Sequence, residues 1–257
     1  MDEAVFRFKR FSVINGDAGL KVGTDGVLLG AAATLDSALW TDAPLRVLDI
    51  GTGTGVIALM MAQRLSDMGK PFEIKAIDIE AKAVEMASRS FAASEWGDNM
   101  ECLHRSLARY ADDLYTASSP DHDAGFDLIV SNPPYFDESL HCPDPVRNGA
   151  RHTDTLSYRE VLSFASDFLA PQGRVSLILP KTEETHLLRF ASSFGLFPER
   201  VLNIRTTSRK APSRIVTEFS RCRTAVRREE ITIMENGAYT EGYRVLTEGY
   251  YLWSQMQ

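Results

Sequence analysis

The segment Asp49-Ile50-Gly51-Thr52-Gly53-Thr54-Gly55 constrains this chain more than any other. It lies between a short apolar run, Arg46 to Ile50, and Val56 to Leu65, whose apolar residues recur with a helical period. Glycines at alternate positions permit a tight strand-to-helix turn and let the backbone come close to a ligand. At the carboxyl end of a strand in a doubly wound sheet, such a turn marks a cofactor crevice. The spacing does not fit the dinucleotide fingerprint GxGxxG, because Val56 stands where the third glycine belongs. Asp49 also puts a carboxylate where a pyrophosphate would have to lie. An anionic ligand is repelled there, and a zwitterionic, sulfonium-bearing one is attracted.

The flanking pattern supplies the sheet. Strands are expected at Arg46 to Ile50, Phe72 to Ile77, Met100 to His104, Phe126 to Val130 and Arg174 to Leu179. Helices are expected over Val56 to Leu65, Ala81 to Ala93, Tyr158 to Leu169 and Glu183 to Phe194. This alternation predicts an α/β fold, a doubly wound Rossmann-like sheet with helices on both faces. Glu199 to Arg205 and Arg214 to Ser220 alternate apolar and polar residues around a turn-rich link. They predict an antiparallel C-terminal hairpin on the sheet's edge, with a further short strand over Ile231 to Met234. No Pro/Ser-rich linker divides the chain. One domain is expected, with an N-terminal extension (1–45), a core (46–222) and a C-terminal strand and helix (223–257). Ser118 to Gly125 and Asp137 to Thr155 read as exposed loops, the second long enough to suggest function.

Two further sites carry chemistry. Asp78 ends the second strand, 23 residues after Gly55, where a carboxylate can accept both ribose hydroxyl protons. Ile79 follows it, and Glu80 suits the start of the next helix. Directly after the fourth strand comes Asn132-Pro133-Pro134-Tyr135. The prolines remove two backbone donors and fix φ, so nearby carbonyls point in set directions. Asn132, preceding a proline, is pushed into an extended conformation.

Charge and cysteine usage bound the partners. The chain carries a net charge of −7. Yet between Arg200 and Arg228 nine cations face the single acid Glu218, a local +8 that leaves −15 elsewhere. Net charge therefore argues against nucleic-acid binding by bulk charge alone, while leaving room for a basic patch. Cys102, Cys142 and Cys222 are far apart and form no CxxC pair, so neither a metal site nor a disulfide framework is expected. Without a signal pattern or a membrane-length apolar stretch, the expected compartment is the reducing cytoplasm.

Together, Asp49-x-Gly51-x-Gly53-x-Gly55 and the acid at Asp78 resemble the cofactor motifs of class I S-adenosyl-L-methionine-dependent methyltransferases. Asn132 to Tyr135 is similar to the catalytic motif of those acting on amino groups conjugated to a planar system. That resemblance implies that the Asn132 side-chain oxygen and the Pro133 carbonyl accept the amine's two protons, while Tyr135 stacks on the base. Three more segments narrow it. Phe8-Lys9-Arg10-Phe11 with Gly19 to Gly30, Ala150 to Tyr158, and Leu246 to Leu252 resemble the bacterial tRNA1(Val) adenine-N6 methyltransferases. The family implies that Lys21, Thr24 and Asp25 close over the methionine end of the cofactor; a plain helix start capped by Thr24 or Asp25 is compatible with this. Many relatives carry an acid toward the cofactor's adenine amine, where this chain has Ser106-Leu107, or else Asp112 nearby. The implied partner is tRNA, met by a monomer through Arg147, Arg151, Arg205, Arg209, Lys210 and Arg214 beside the catalytic mouth. The same Asn-Pro-Pro-Tyr chemistry also serves guanine N2, DNA adenine N6 and release-factor glutamine. The release-factor enzymes usually carry a helical N-terminal domain, for which the residues before Arg46 are too few. A non-catalytic RNA-interaction protein is the remaining alternative, opposed by the intact motif set.

Overall fold

The glycine loop does join a strand to a helix, and the elements around it follow the expected alternation. The structure is a computed structural model, and it describes residues 4–15, 21–35, 43–116, 125–134 and 156–253. In chain order it begins with β1 (Val5–Arg7), β2 (Ser12–Ile14) and α1 (Thr24–Ala32). The core follows: β3 (Leu45–Ile50), α2 (Val56–Asp67), β4 (Phe72–Asp78), α3 (Ala81–Ala92), β5 (Met100–His104) and α4 (Leu107–Thr116). Then come β6 (Phe126–Ser131), α5 (Tyr158–Phe168), β7 (Leu169–Pro180) and α6 (Glu184–Ser193). The last part holds β8 (Phe197–Thr207), β9 (Arg214–Ser220), β10 (Arg227–Glu235), β11 (Ala238–Tyr239) and α7 (Glu241–Thr247).

β3 to β11 form one sheet in the order β11-β10-β8-β9-β7-β6-β3-β4-β5. The run from β7 to β5 is parallel. α1, α2, α3 and α7 pack on one face, and α4, α5 and α6 on the other. The expected hairpin exists, since β8 and β9 pair antiparallel, but it is not the sheet's edge. β9 lies between β7 and β8, and β10 covers β8 in parallel register. Ile215 to Ser220 are consequently all buried, Glu218 included.

α1 sits close against α2 because Gly26 and Gly30, four residues apart, share one face of it. A Cβ on Gly26 would lie 3.1 Å from Val56, and one on Gly30 would lie 2.6 Å from the Met60 sulfur. The N-terminal hairpin packs elsewhere. Phe8 stacks on Phe11 at 4.6 Å and on Tyr251 at 5.8 Å, while Arg10 lies over Trp96 and bonds Asp67 and Glu95. Asp67 ends α2 and Glu95 follows α3, so Phe8 to Phe11 sit at the amino edge of the sheet, away from the glycine loop. The Phe-Lys-Arg-Phe and Leu246 to Leu252 motifs thus meet each other and hold the N-terminal hairpin down. Trp96 and Trp253 both pack into aromatic clusters, Trp253 against Tyr239, Tyr243 and Tyr251.

Candidate active site

The order of the parallel strands reverses between β3 and β6, the position at which doubly wound sheets bind ligands outside their carboxyl ends. Ile50 of β3 pairs with Ser131 of β6, and the Ser131 hydroxyl donates to the Ile50 carbonyl at 2.7 Å. Gly51 and Asn132 therefore leave the sheet side by side. The glycine loop and the Asn-Pro-Pro turn face one crevice.

The glycine loop is held from both sides. Gly51, Gly53 and Gly55 have φ of 70°, 55° and 80°, a region costly for any residue with a Cβ. Their surroundings differ. A Cβ on Gly51 would lie 2.8 Å from Leu156, and one on Gly55 would lie 2.7 Å from the Phe91 ring. A Cβ on Gly53 would meet nothing within 4 Å, so this glycine faces the crevice. Replacing Gly55 by alanine combines left-handed strain with the Phe91 clash. It is expected to cost more than about 2 kcal/mol, against about 1–2 kcal/mol for Gly53→Ala, which suffers only the strain. Thermal unfolding of the two variants checks the order.

Asp49 is fully buried at the end of β3. Its Oδ2 accepts from the Thr52 hydroxyl at 2.7 Å and the Ala58 amide at 3.2 Å. Its Oδ1 has no partner among the described residues. Burial outweighs the two hydrogen bonds and pushes its carboxyl up to about 7. Asp78 does something the sequence did not show. Its Oδ2 accepts from the Gly53 amide at 2.8 Å and its Oδ1 from the Glu80 amide at 2.9 Å, stapling the glycine loop to the start of α3. Glu80 is the N-cap of α3, as its position suggested. Each Asp78 oxygen keeps a further acceptor site for a ligand hydroxyl.

Asn132 is half-buried, Pro133 buried and Pro134 exposed, while Tyr135, Arg147 and Arg151 lie outside the described residues. Ile79 projects with 43% of its surface exposed, and the His104 ring nitrogen lies 2.8 Å from its carbonyl. Ser106 accepts from the Arg109 amide at 3.3 Å and so caps α4; Leu107 is buried in that helix, and Asp112 is exposed on it. Lys21 is exposed. Thr24 and Asp25 open α1, but neither caps it: the N-cap is Gly23, with no side-chain bond. Asp25 instead forms an ion pair with Arg214 at 2.9 Å. Two expected site residues, one assigned to cofactor and one to RNA, thus engage each other.

Acids from outside the basic window also meet most of its cations. Arg205 pairs with Glu230 at 2.7 Å, Arg200 with Glu229 at 2.8 Å and Arg228 with Glu184 at 2.6 Å. Arg223 lies 4.2 Å over the Phe197 ring, and Arg221 donates to the Ser166 and Leu169 carbonyls. Arg209 and Lys210, exposed in the β8–β9 turn, have no side-chain partner among the described residues.

A doubly wound sheet with this glycine loop and an Asn-Pro-Pro turn on neighbouring strand ends has the architecture of a Rossmann-like methyltransferase. Solved structures agree on the fold. The chain matches a predicted O-methyltransferase from Agrobacterium tumefaciens with a TM-score of 0.61 at 20% identity, over 88% of this chain and 96% of that one. A SAM-dependent methyltransferase from the same organism gives a TM-score of 0.57 at 15% identity, over 86% of this chain and 71% of that one. The family model "Methyltransferase small domain" matches residues 26–197. A relative from Bacteroides fragilis, named tRNA1(Val) (adenine(37)-N6)-methyltransferase, is 38% identical over 98% of this chain and 99% of its own. Relatives of the same name from Porphyromonas gingivalis (98% of this chain, 96% of that one) and Photobacterium profundum (96% and 98%) are 39% and 36% identical. The chain belongs to the methyltransferase small domain family and, within it, to the family of these tRNA1(Val) (adenine(37)-N6)-methyltransferases. Among the described residues, no helix is long and apolar enough to cross a membrane.

Proposed function

We propose that this protein is a cytoplasmic, S-adenosyl-L-methionine-dependent tRNA methyltransferase acting on N6 of the adenosine immediately 3′ of the anticodon in tRNA1(Val). The observation that carries the reading is the placement of Asp49 to Gly55 and Asn132-Pro133 on adjacent strand ends, in a chain so similar to relatives of that name.

The residues present fit the cofactor. Asp49 Oδ1, which has no partner among the described residues, offers an acceptor for a cationic group beside a glycine that leaves the crevice open. Asp78 offers acceptors for ribose hydroxyls, and Ile79 an apolar surface for a base. When bound, S-adenosyl-L-methionine supplies an electrophilic methyl group on its sulfonium. The chain's own part is positional and electrostatic. The Asn132 side-chain oxygen and the Pro133 carbonyl accept hydrogen bonds from the two N–H groups of the exocyclic amine. Held this way, the nitrogen is drawn out of conjugation and its lone pair is directed into the crevice. No strong base is required, and the proton released leaves to solvent. The test is incubation with labelled cofactor and total tRNA from a strain lacking the gene, followed by mass spectrometry of nucleosides. Labelled N6-methyladenosine in a valine tRNA is expected. Label found instead in ribosomal RNA, DNA or release factor would overturn the substrate.

Asp49 predicts a pH dependence. Its folded-state value of about 7 lies above the ordinary 3.8. The ligand-free folded protein therefore holds a proton that the unfolded chain has lost across this window. Stability falls as pH rises from about 4 to about 7 and is flat above. A cationic ligand group favours ionised Asp49, so cofactor affinity is expected to rise between pH 6 and 8, roughly up to tenfold, with proton uptake by buffer. Calorimetry in buffers of differing ionisation enthalpy measures both. Asp49→Asn is expected to flatten the profile.

A further inference from the structure

Nine cations between Arg200 and Arg228 make a large formal patch, yet the fold cancels most of it. The acids that do so, Glu184, Glu229, Glu230 and Asp25, come from other elements or from beyond the window. What survives is small and placed. β8 runs parallel to β7 and β6, so its carboxyl end points to the same edge as Gly51 and Asn132. Ile204 aligns with Arg214, and Arg214 with Pro180 at the end of β7. Residues 205–213 therefore stand beyond the ends of β7 and β9, with β10 still paired to β8 as far as Thr207 and with Arg209 and Lys210 exposed at the tip. The turn is ordered by its own bonds. Lys210 N–H donates to the Thr207 carbonyl at 3.1 Å, Arg205 donates to the Lys210 carbonyl at 2.7 Å, and Ser208 donates to Glu235 at 2.6 Å.

We propose that this turn, through Arg209 and Lys210, is the surface that holds the RNA backbone while the target base occupies the crevice, and that the remaining cations of the window are structural. The proposal deepens the tRNA reading above and rests on it. Three strand spacings separate β8 from β6, roughly 14 Å. The contacted phosphates therefore lie a few nucleotides from the methylated adenosine. The contact then falls within the anticodon stem-loop, and two phosphates are neutralised.

The test measures binding and turnover separately. Fluorescence anisotropy with a labelled valine anticodon stem-loop is run across a salt series for the wild-type chain, the Arg209→Ala/Lys210→Ala double variant and Arg227→Ala. Arg227 is an exposed cation at the opposite edge of the sheet, ion-paired to Glu229. The double variant is expected to reduce the slope of log affinity against log salt by about 2, so that its deficit at 50 mM salt is roughly tenfold larger than at 200 mM. Its KM for RNA rises with that deficit, while its kcat and cofactor affinity stay at wild-type values. Arg227→Ala is expected to keep the wild-type slope. An unchanged slope in the double variant, or an equal change in Arg227→Ala, overturns the surface. Salt-insensitive binding by the wild type overturns it as well. Salt-dependent stem-loop binding lost in the double variant, but without methylation by the wild type, would keep the surface and remove the catalytic reading.

Discussion

Replacement of Asn132 by alanine is expected to lower kcat by about 10²–10³-fold while leaving cofactor affinity near the wild-type value. The factor is that found when one preorganised hydrogen-bonding partner of a transition state is removed, about 3–4 kcal/mol. It applies because Asn132 leaves β6 beside the glycine loop, within the crevice but outside the elements proposed to hold the cofactor's charged and sugar ends. Those elements are Asp49, fixed by Thr52 and Ala58, and Asp78, fixed by Gly53 and Glu80. None of these bonds involves Asn132. The Pro133 carbonyl also survives the change, so one of two acceptors remains and residual turnover is expected. Titration calorimetry with the cofactor and single-turnover kinetics separate the two quantities. Loss of binding together with turnover would show that Asn132 shapes the crevice, and the catalytic assignment would fall.

Much of this arrangement was legible because local sequence rules and tertiary structure agree at the glycine loop. Alternate glycines after a buried strand leave few conformations, and all three adopt positive φ. The strand runs from Arg46 to Leu179 were legible for a similar reason, since each is a short apolar segment bounded by turn residues. The failures have physical causes too. The basic hairpin read as an edge because charge counted along a sequence takes no account of partners far away in it. Arg214 meets Asp25 across 189 positions, and Arg228 meets Glu184 across 44. Likewise β10 looked short, since a half-exposed strand with Arg227 to Glu230 at its start carries little apolar signal. The stapling role of Asp78 was hidden because it depends on two backbone amides, which no side-chain pattern reveals. A polar residue ending an otherwise apolar strand was the available clue to Ser131. For His104 there was none.

The largest effect on stability is expected from Glu218→Ala, at about 3–5 kcal/mol. Glu218 is 1% exposed in the middle of the sheet. Its carboxylate accepts from the Thr34 amide at 2.6 Å, the Thr34 hydroxyl at 2.7 Å and the Ser176 hydroxyl at 3.3 Å, with the Arg200 guanidinium at 3.5 Å. Alanine strips these groups of an acceptor at once and leaves a buried cation with one partner fewer. For a domain of this size that corresponds to a fall in Tm of roughly 10 °C. Glu218→Gln keeps the volume and one acceptor, so a loss nearer 1–2 kcal/mol is expected. The consequence reaches the site through α1. Thr34 follows the carboxyl end of that helix and is held by Glu218, whereas Asp25 at its amino end is held by Arg214. Both of these anchors belong to β9, so this interior strand helps, together with Arg64 of α2 and Arg200 of β8, to set the position of the helix that borders the crevice. Below its melting temperature, Glu218→Ala should therefore bind cofactor more weakly than Glu218→Gln, because α1 loses the Thr34 anchor and keeps the Arg214–Asp25 pair, the Arg64 and Arg200 bonds to its last carbonyls and its packing on α2. Calorimetric Tm values and cofactor titrations on both variants decide the matter. If alanine and glutamine shift Tm equally, the carboxylate's charge and not its acceptor geometry is what the fold uses, and the anchoring of α1 through Thr34 is refuted.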